Sequence, residues 1–202
     1  FSELLGRYDS AVALFREGRE QGALKAYLGQ PDWAAVERDL AWAGEPGCQL
    51  LLHGSTQYPA QLATLTDAPP VLFVRGEPAL LSGPQLAMVG SRNPTPLGAE
   101  TAREFAQHLA GVGLTVTSGL ALGIDAAAHG GALSAEGSTV AVFGTGLDRV
   151  YPARHRELAH EIVEAGGDHD IVVGEVVGAQ VFKEGDVADS LTLTDLGWSY
   201  AG

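Results

Sequence analysis

Apolar residues between positions 86 and 152 are grouped into three short runs, and each run ends in a polar turn that contains glycine. The turns lie at residues 90–92, 118–120 and 144–146, and segments of helical length separate the runs. Short strands that alternate with helices are typical of βαβαβ units. The pattern therefore predicts an α/β fold with a parallel sheet flanked by helices. In such sheets a ligand site lies at the carboxyl ends of the strands.

The chain before this central unit combines helical and strand patterns. Residues 1–46 carry apolar side chains at helical spacing, which predicts a small helical module, and residues 48–52 and 71–74 have the length and composition of strands. The last part of the helical module has one apolar stripe. We expect that stripe to be core without a functional role, together with Trp42; its members are Trp33, Val36, Leu40 and Ala43.

Composition and charge narrow the class of protein. The chain has 202 residues, 46% of them hydrophobic, and its apolar runs are strand-sized, far below the ~20 residues that span a bilayer. The single cysteine, Cys48, excludes an intrachain disulfide and favours a reducing, cytoplasmic setting. Since residue 1 is not a methionine, we expect an internal boundary of a longer protein there.

The net charge of −13 argues against a general polyanion binder, because affinity for phosphate rests mainly on Lys and Arg. The acidic excess is uneven along the chain. Residues 168–202 carry seven acidic side chains and one basic side chain, nearly half of the excess. The net charge is therefore a weaker argument against phosphate binding by the central unit.

The first turn of the central unit, Gly90-Ser91-Arg92, precedes a predicted helix start. Backbone amides at such a start attract anions, and the guanidinium of Arg92 can add a bidentate contact to a phosphate. Alternatively Gly90 makes a tight turn and Arg92 is merely solvated. Three glycine turns at three successive strand ends favour the ligand site.

The second turn begins with Ser118 and Gly119 and is rich in small residues, which lets a ligand approach the backbone closely. Asp125 follows at the start of the next predicted helix, where a carboxylate accepts amide hydrogen bonds. Capping is its expected role. His129 lies four residues further on, and a lone histidine on a helix is more often structural than functional.

The third turn brings several kinds of functional group together. Gly144, Thr145 and Gly146 supply two glycines and a hydroxyl group, and a cation and an aromatic ring follow at Arg149 and Tyr151. The arginine can bind a phosphate and the tyrosine can stack on a base. Equally, the arginine can pair with the preceding aspartate and the tyrosine can be core; the sequence leaves both alternatives open.

Several other kinds of site lack their signatures. The third turn lacks the third glycine of the dinucleotide fingerprint, and neither a P-loop lysine nor a Gly-x-Ser-x-Gly elbow is present. The histidines do not have metal-ligand spacing. We therefore predict no cofactor and no metal, and a binding protein rather than an enzyme.

Four motifs resemble the DNA-processing protein DprA (Smf) family, over about residues 2–166. They are YPAQLATLTDAPPVLFVRGEPALL, VGSRNPTPLG, SGLALGIDAAAHGGAL and GTGLDRVYPARHREL. The resemblance implies a Rossmann-like domain over residues 47–166, after a helical module of SAM or helix-hairpin-helix type over residues 1–46. It also implies single-stranded DNA binding without catalysis, dimerisation, and loading of the RecA recombinase during natural transformation and DNA recombination.

The same resemblance implies which residues contact DNA phosphates. They are Gly90, Ser91, Arg92, Ser118, Gly119, Gly144, Thr145, Gly146 and Arg149. Two positions depart from the family pattern. Leu122 stands where an arginine is common, which removes one cation, and His155 stands where asparagine is frequent.

The tail, residues 167–202, departs further. The arginine-rich segment expected there is missing, so the Rossmann-like domain would be incomplete in its C-terminal half and DNA binding impaired. The tail instead reads as β structure and is similar to the C-terminal end of flavin-reductase-like split barrels, which makes His169 a candidate relic of a flavin site. The hypothesis is a chimera whose tail, of different origin, packs as a substitute edge strand or stays disordered. Nucleotide or flavin binding, or no activity, are the alternatives to DNA binding.

Overall fold

The computed structural model describes residues 32–66, 68–144, 152–164 and 171–177. Their strands are β1 (Cys48–Leu52), β2 (Val71–Gly76), β3 (Gln85–Ala87), β4 (Thr115–Ser118), β5 (Thr139–Phe143) and β6 (Ile171–Val177). Their helices are α1 (Trp33–Ala43), α2 (Ala60–Ala63), α3 (Pro96–Gly111), α4 (Ile124–Ser134) and α5 (Arg156–Glu164). Short 3-10 turns lie at Pro78–Ser82 and Ala153–His155.

The strands form a single mixed sheet in the order β1-β2-β6-β5-β4-β3. The four strands from β3 to β6 run parallel, and β2 pairs antiparallel with both β1 and β6. Because β3, β4, β5 and β6 are neighbours in chain order, their helical connections follow the sheet in one direction. The predicted α/β fold with a parallel sheet and flanking helices is confirmed.

Two of the helices, α1 and α3, begin at a residue whose side chain caps them. Thr95 precedes α3, its hydroxyl oxygen accepts a hydrogen bond from the amide of Gly98 at 3.1 Å, and Pro96 occupies the first turn, where a missing N–H costs nothing. Asp32 caps α1 in the same way, through the amide of Ala35 at 2.9 Å. Local sequence thus fixes where these helices start.

Helices cover one face of the parallel part of the sheet. α3 packs against α4, and α4 against α5. The α3–α4 contact is close because Gly131 has no side chain: a Cβ there would overlap the carbonyl oxygen of Arg103. The core between these two helices and β4 is built from small residues around one valine, namely Ala106, Ala110, Val116, Ala128 and Ala132.

The opposite face carries a second core, under α2 and the 3-10 turn at Pro78–Ser82. Its buried members are Leu51, Tyr58, Leu72, Val74 and Val140. The Tyr58 hydroxyl donates a 2.7 Å hydrogen bond to the carbonyl oxygen of Pro69, so its polar end is satisfied. Neighbouring residues of β5 belong to different cores. Val140 is part of this second core, whereas Ala141 packs with Leu120 and Ile162 against α5.

Strand β6 contradicts the expectation of a substitute edge strand. Residues 171–177 lie in the interior of the sheet, parallel to β5 on one side and antiparallel to β2 on the other. The sequence analysis separated this run from the central unit because the arginine-rich segment expected after residue 166 is missing and the tail resembles the end of a split barrel. The rest of the tail, including His169, lies outside the described residues.

The apolar stripe of α1 was also predicted wrongly. Trp33, Val36 and Leu40 are 57%, 40% and 60% exposed. Trp42 instead faces the sheet, with its ring centroid 5.4 Å from that of Phe73. The remainder of the predicted helical module, residues 1–31, lies outside the described residues.

Candidate functional site

The carboxyl ends of β3, β4 and β5 meet at one edge of the sheet. The segments that follow them are residues 88–95 after β3, residues 119–123 after β4, and Gly144 after β5. The amide of Met88 extends the ladder beyond β3 by donating to the carbonyl oxygen of Thr117 at 2.8 Å. The parallel register therefore brings together the first two of the predicted turns, with the start of the third beside them.

Two hydrogen bonds tie the first turn to the second. The hydroxyl of Ser118 donates to the carbonyl oxygen of Met88 at 2.6 Å, and the amide of Ile124 donates to the carbonyl oxygen of Ser91 at 3.1 Å. We call these four residues, together with Asp125, the loop joint. Because Ser118 is 3% exposed, its hydroxyl serves the joint and does not face solvent.

Gly123 makes the close approach of the two turns possible. Its φ is +81°, a region that residues with a Cβ rarely adopt, and a Cβ would overlap the carbonyl oxygen of Ser91 and lie 2.7 Å from Cδ of Pro94. Gly123 also stands at the N-cap of α4 without a capping side chain. The backbone at residues 91–94 therefore lies directly against the start of α4.

The buried carboxylate of Asp125 stabilises the loop joint through hydrogen bonds. Its carboxylate Oδ2 accepts hydrogen bonds from the amides of Gly119 at 3.2 Å and Ala121 at 3.3 Å. Burial raises the pKa of Asp125, and these backbone hydrogen bonds oppose the rise. The predicted capping role is thus corrected: the carboxylate binds amides of the second turn, which precedes its own helix.

Ser91 and Arg92 are the exposed part of the first turn. The Ser91 hydroxyl oxygen accepts a hydrogen bond from the amide of Asn93 at 3.1 Å, which closes a local turn. Within the described part of the chain, the guanidinium of Arg92 makes no ion pair or hydrogen bond. The Arg92 guanidinium is therefore exposed to solvent, on a loop whose backbone is fixed by hydrogen bonds.

His155, at the end of the 3-10 turn before α5, contacts the second turn. Its Nδ1 lies 2.8 Å from the carbonyl oxygen of Leu120, so the ring donates this hydrogen bond. Leu120 has a φ of +58° and is fully buried against Ala141, Ala159 and Ile162. One signal for this contact was visible in the sequence, the departure from asparagine at position 155, but it did not indicate the partner.

His129 is structural, as predicted for a lone helical histidine. It is 0% exposed, and its Nδ1 lies 2.7 Å from Oγ1 of Thr139. Burial, followed by the neighbouring charge of His155, lowers the pKa of His129 to about 3. The ring is therefore neutral at physiological pH, and it faces β5 rather than solvent.

The predicted site residues thus fall into three groups. Ser91, Arg92 and Gly144 are exposed at the strand ends, whereas Gly90, Ser118 and Gly119 are partly or fully buried at the joint. Thr145, Gly146, Arg149 and Tyr151 lie outside the described residues. Within the described ranges, no three His, Cys, Asp or Glu side chains are grouped as a metal site would require, and no helix has the length and apolarity to cross a membrane.

Comparison with known proteins gives the same family over most of these elements. Residues 49–182 match the family described as DNA recombination-mediator protein A. This match runs from β1 through β6, across the boundary near residue 167 where the sequence suggested a change of origin. A chimera is therefore unsupported.

Individual relatives agree. Protein Smf of Escherichia coli (strain K12) is 41% identical over 157 residues, which cover 78% of this chain and 42% of that protein. The DNA processing protein DprA of Bacillus subtilis (strain 168) is 33% identical over 161 residues, which cover 79% of this chain and 52% of that protein. The chain thus spans about half the length of the relatives that it matches.

Solved structures match the fold as well. The structure of DNA processing protein A from Streptococcus pneumoniae aligns with a TM-score of 0.63 and 35% identity, over 75% of this chain and 50% of that one. A structure of DNA processing protein A from Helicobacter pylori, which concerns its single-stranded DNA binding mode, aligns with a TM-score of 0.53 and 29% identity, over 62% of this chain and 55% of that one. Sequence and fold together show that the chain belongs to the DNA recombination-mediator protein A family.

Proposed function

We propose that this chain binds single-stranded DNA through backbone phosphates at the carboxyl edge of the sheet. The observation that supports this most is the placement of Arg92. The side chain is exposed, and its loop is tied to the neighbouring loop by the Ile124–Ser91 hydrogen bond. A guanidinium on such a loop suits bidentate contact with a phosphate.

The loop joint preorganises the site for a ligand. Asp125 and Ser118 make hydrogen bonds to backbone groups of the turns, so little backbone has to be ordered when a ligand binds. The start of α4, at Gly123, adds the positive end of a helix dipole to the same edge. Ser91 and Gly144 complete the exposed surface on which a phosphate would lie.

The net charge of −13 sets the expected strength. A protein that neutralises few phosphates releases few counterions, so its affinity has a shallow dependence on salt, with a slope of about −0.7 for each phosphate on a single strand. With Arg92 as the principal cation we expect weak binding and a slope of about −1. Arg149, a candidate phosphate ligand in the third turn, would add to that slope.

The relatives favour a wider role for the protein. The Helicobacter pylori protein is described by its single-stranded DNA binding mode. We propose that this chain likewise takes part in DNA recombination by binding DNA without altering it covalently. Loading of RecA, assembly as a homodimer, natural transformation and a cytoplasmic location are parts of the same proposal, because the family resemblance implies each of them.

The direct test is fluorescence anisotropy of a labelled oligo-dT at low and moderate salt. We expect binding that weakens with salt, and a loss of about tenfold in affinity for Arg92→Ala, since a charge-assisted hydrogen bond is worth about 1.5–3 kcal/mol. The matched control is Arg38→Ala, which removes an exposed arginine on α1.

The two arginine variants separate a site from general electrostatics. Equal losses in both would show that Arg92 contributes only to net charge. Absence of binding at low salt, in a protein whose circular dichroism shows a folded α/β structure, would contradict the proposal.

A further inference from the structure

Two further arginines lie at the carboxyl edge of the sheet, beyond the predicted site residues. Arg154 belongs to the 3-10 turn Ala153–His155, and Arg156 is the first residue of α5. Both follow β5, which runs parallel to β3 and β4 and ends at the same edge. Both side chains are exposed. Exposed cations therefore lie on either side of the second turn, with Arg92 after β3 and this pair after β5.

The residue between the two arginines fixes their position relative to the loop joint. Nδ1 of His155 donates its 2.8 Å hydrogen bond to the carbonyl oxygen of Leu120, in the second turn. Successive side chains of a helical turn project about 100–120° apart. Because His155 points at the second turn, Arg154 and Arg156 project to its two sides. The backbone that carries both guanidinium groups is thus attached to the same turns that carry Arg92.

The two guanidinium groups are available for a ligand. Among the residues that the structure describes, no ion pair or hydrogen bond involves the side chain of Arg154 or Arg156, and exposed Glu157 forms no ion pair with either. The carboxylate of Asp125, near the same edge, is buried and accepts hydrogen bonds from amides of the second turn. An exposed guanidinium without a carboxylate partner suits a phosphate, whose oxygens match its planar fork.

The two edges of the parallel sheet differ in charge. The segments that leave the carboxyl ends of β3 and β5 carry one aspartate and four arginines, namely Arg92, Arg149, Arg154 and Arg156. The segments that enter β3, β4 and β5 at the opposite edge carry two glutamates and neither lysine nor arginine in their sequence; they are residues 77–84, 112–114 and 135–138. In a chain with a net charge of −13, this concentration of arginine at one edge indicates a surface for an anionic ligand.

The spacing of the strands separates the two groups of cations. Neighbouring strands lie about 4.8 Å apart, so the ends of β3 and β5, with β4 between them, are about 10 Å apart. A single strand of DNA that crosses the strand ends can therefore contact Arg92 and the Arg154–Arg156 pair through different phosphates. One phosphate held at Arg92 would leave the pair unused.

We propose that Arg154 and Arg156 form a second phosphate-binding position for single-stranded DNA, on the far side of the second turn from Arg92. The inference rests on the proposed function, because Arg92 supplies the first position. It extends the site from one loop to a track across the ends of β3, β4 and β5. Three arginine contacts on a single strand correspond to a salt slope of about −2, steeper than the slope expected for Arg92 alone.

The test measures the anisotropy of a labelled oligo-dT over a range of salt concentrations. The double variant Arg154→Ala/Arg156→Ala should lower affinity at low salt at least about tenfold and reduce the slope from about −2 to about −1. The matched control, Arg38→Ala/Arg103→Ala, removes two exposed arginines from α1 and from the middle of α3, with the same change in net charge. We expect the control to keep the slope of the wild type.

A conservative double variant distinguishes charge from geometry. Arg154→Lys/Arg156→Lys retains both charges but lacks the planar fork. We expect it to keep a slope of about −2, because the slope counts phosphates neutralised, while affinity falls a few-fold. All of these positions are exposed, and circular dichroism of each variant should show the α/β structure of the wild type.

Two results would overturn the inference. Binding that needs Arg92 but shows equal losses and equal slopes in the two double alanine variants would remove the second position and leave the proposed function standing. A wild-type protein that is folded and does not bind oligo-dT at low salt would remove both.

Discussion

Oγ1 of Thr139 stands between two partners, Nδ1 of His129 and the carbonyl oxygen of Val116, each at 2.7 Å. A carbonyl oxygen can only accept, so the threonine hydroxyl donates to Val116 and the histidine Nδ1–H donates to Thr139. The Nε2 atom of His129 is buried, and no hydrogen-bond partner lies near it in the described part of the protein. The ring is thus held in one neutral tautomer inside the core.

This arrangement predicts acid sensitivity. The folded pKa of His129, about 3, lies below its ordinary 6.5, so the unfolded chain binds a proton that the folded protein excludes. The stability from this residue is present above about pH 6.5 and is lost as pH falls toward 3, by up to about 1.4 kcal/mol per pH unit. Urea unfolding at pH 7, 6, 5 and 4 should show this slope in the wild type and a smaller one in His129→Gln. Identical slopes would contradict it.

Thr139→Val provides a second approach if His129→Gln does not fold. The substitution leaves Nδ1–H of His129 without its acceptor in a buried place, and we expect it to cost about 1–3 kcal/mol of unfolding free energy at pH 7. Thr95→Val is unsuitable as a control because Thr95 caps α3. Thr66→Val, at an exposed position, is the matched change and should cost less than about 0.5 kcal/mol.

Gly123→Ala tests the close approach at the loop joint. The substitution combines an unfavourable φ of +81° with overlap at Ser91, whereas Gly113→Ala meets a φ of +90° with no atom within 4 Å of the new Cβ. We expect Gly113→Ala to cost about 1–2 kcal/mol from φ alone and Gly123→Ala to cost clearly more. Urea unfolding measures the difference. Equal costs would mean that the first turn moves aside freely.

His155 offers a conservative rescue. Its Nδ1–H donates to the carbonyl oxygen of Leu120, and the side-chain amide of asparagine can place a donor at nearly the same point. We expect His155→Ala to lower the unfolding free energy by about 1 kcal/mol and His155→Asn to lower it less. Thermal unfolding of the two variants, with exposed His108→Ala as control, checks this. Equal losses would show that ring packing matters rather than the hydrogen bond.

Asp125→Ala tests the hydrogen bonds between Asp125 and the second turn. The amides of Gly119 and Ala121 would lose their acceptor, and we expect a loss of at least about 1–3 kcal/mol together with weaker oligo-dT binding. Glu100→Ala removes an exposed carboxylate on α3 and should change neither quantity. If Asp125→Ala unfolds the protein, hydrogen exchange of Gly119 and Ala121 in the wild type measures the same contact, and amides that exchange as fast as unprotected ones would contradict it.

The elements of the central unit could be predicted because their signals are local. The run at residues 139–143 became β5 without a change of boundary, and the helix predicted from residue 124 begins there. Parallel strands put their carboxyl ends at one edge, so the sequence could also predict that the first turns meet. The bonds of the loop joint could not be predicted, because they depend on which backbone groups face each other across two loops.

Hydrophobic periodicity did not predict burial where burial depends on residues that are remote in sequence. The stripe of Trp33, Val36 and Leu40 has the spacing of a core face, but spacing alone does not determine burial, and the structure leaves these side chains exposed. The position of β6 likewise depends on pairing with β2 and β5, which are remote in sequence. Motif resemblance identified the family, and it misled where the missing arginine-rich segment and the likeness to a split barrel suggested a foreign tail.

The interior position of β6 has a consequence for how the protein is made. Leu72 pairs with Val176, about one hundred residues later, and β6 joins the antiparallel β1–β2 pair to the parallel strands β3 to β5. Until β6 has been synthesised, no strand joins the β1–β2 pair to the strands β3 to β5. Closing so long a loop is entropically costly and slows folding. On the ribosome the nascent chain should therefore hold two unjoined parts and complete its sheet only after residue 177 has emerged.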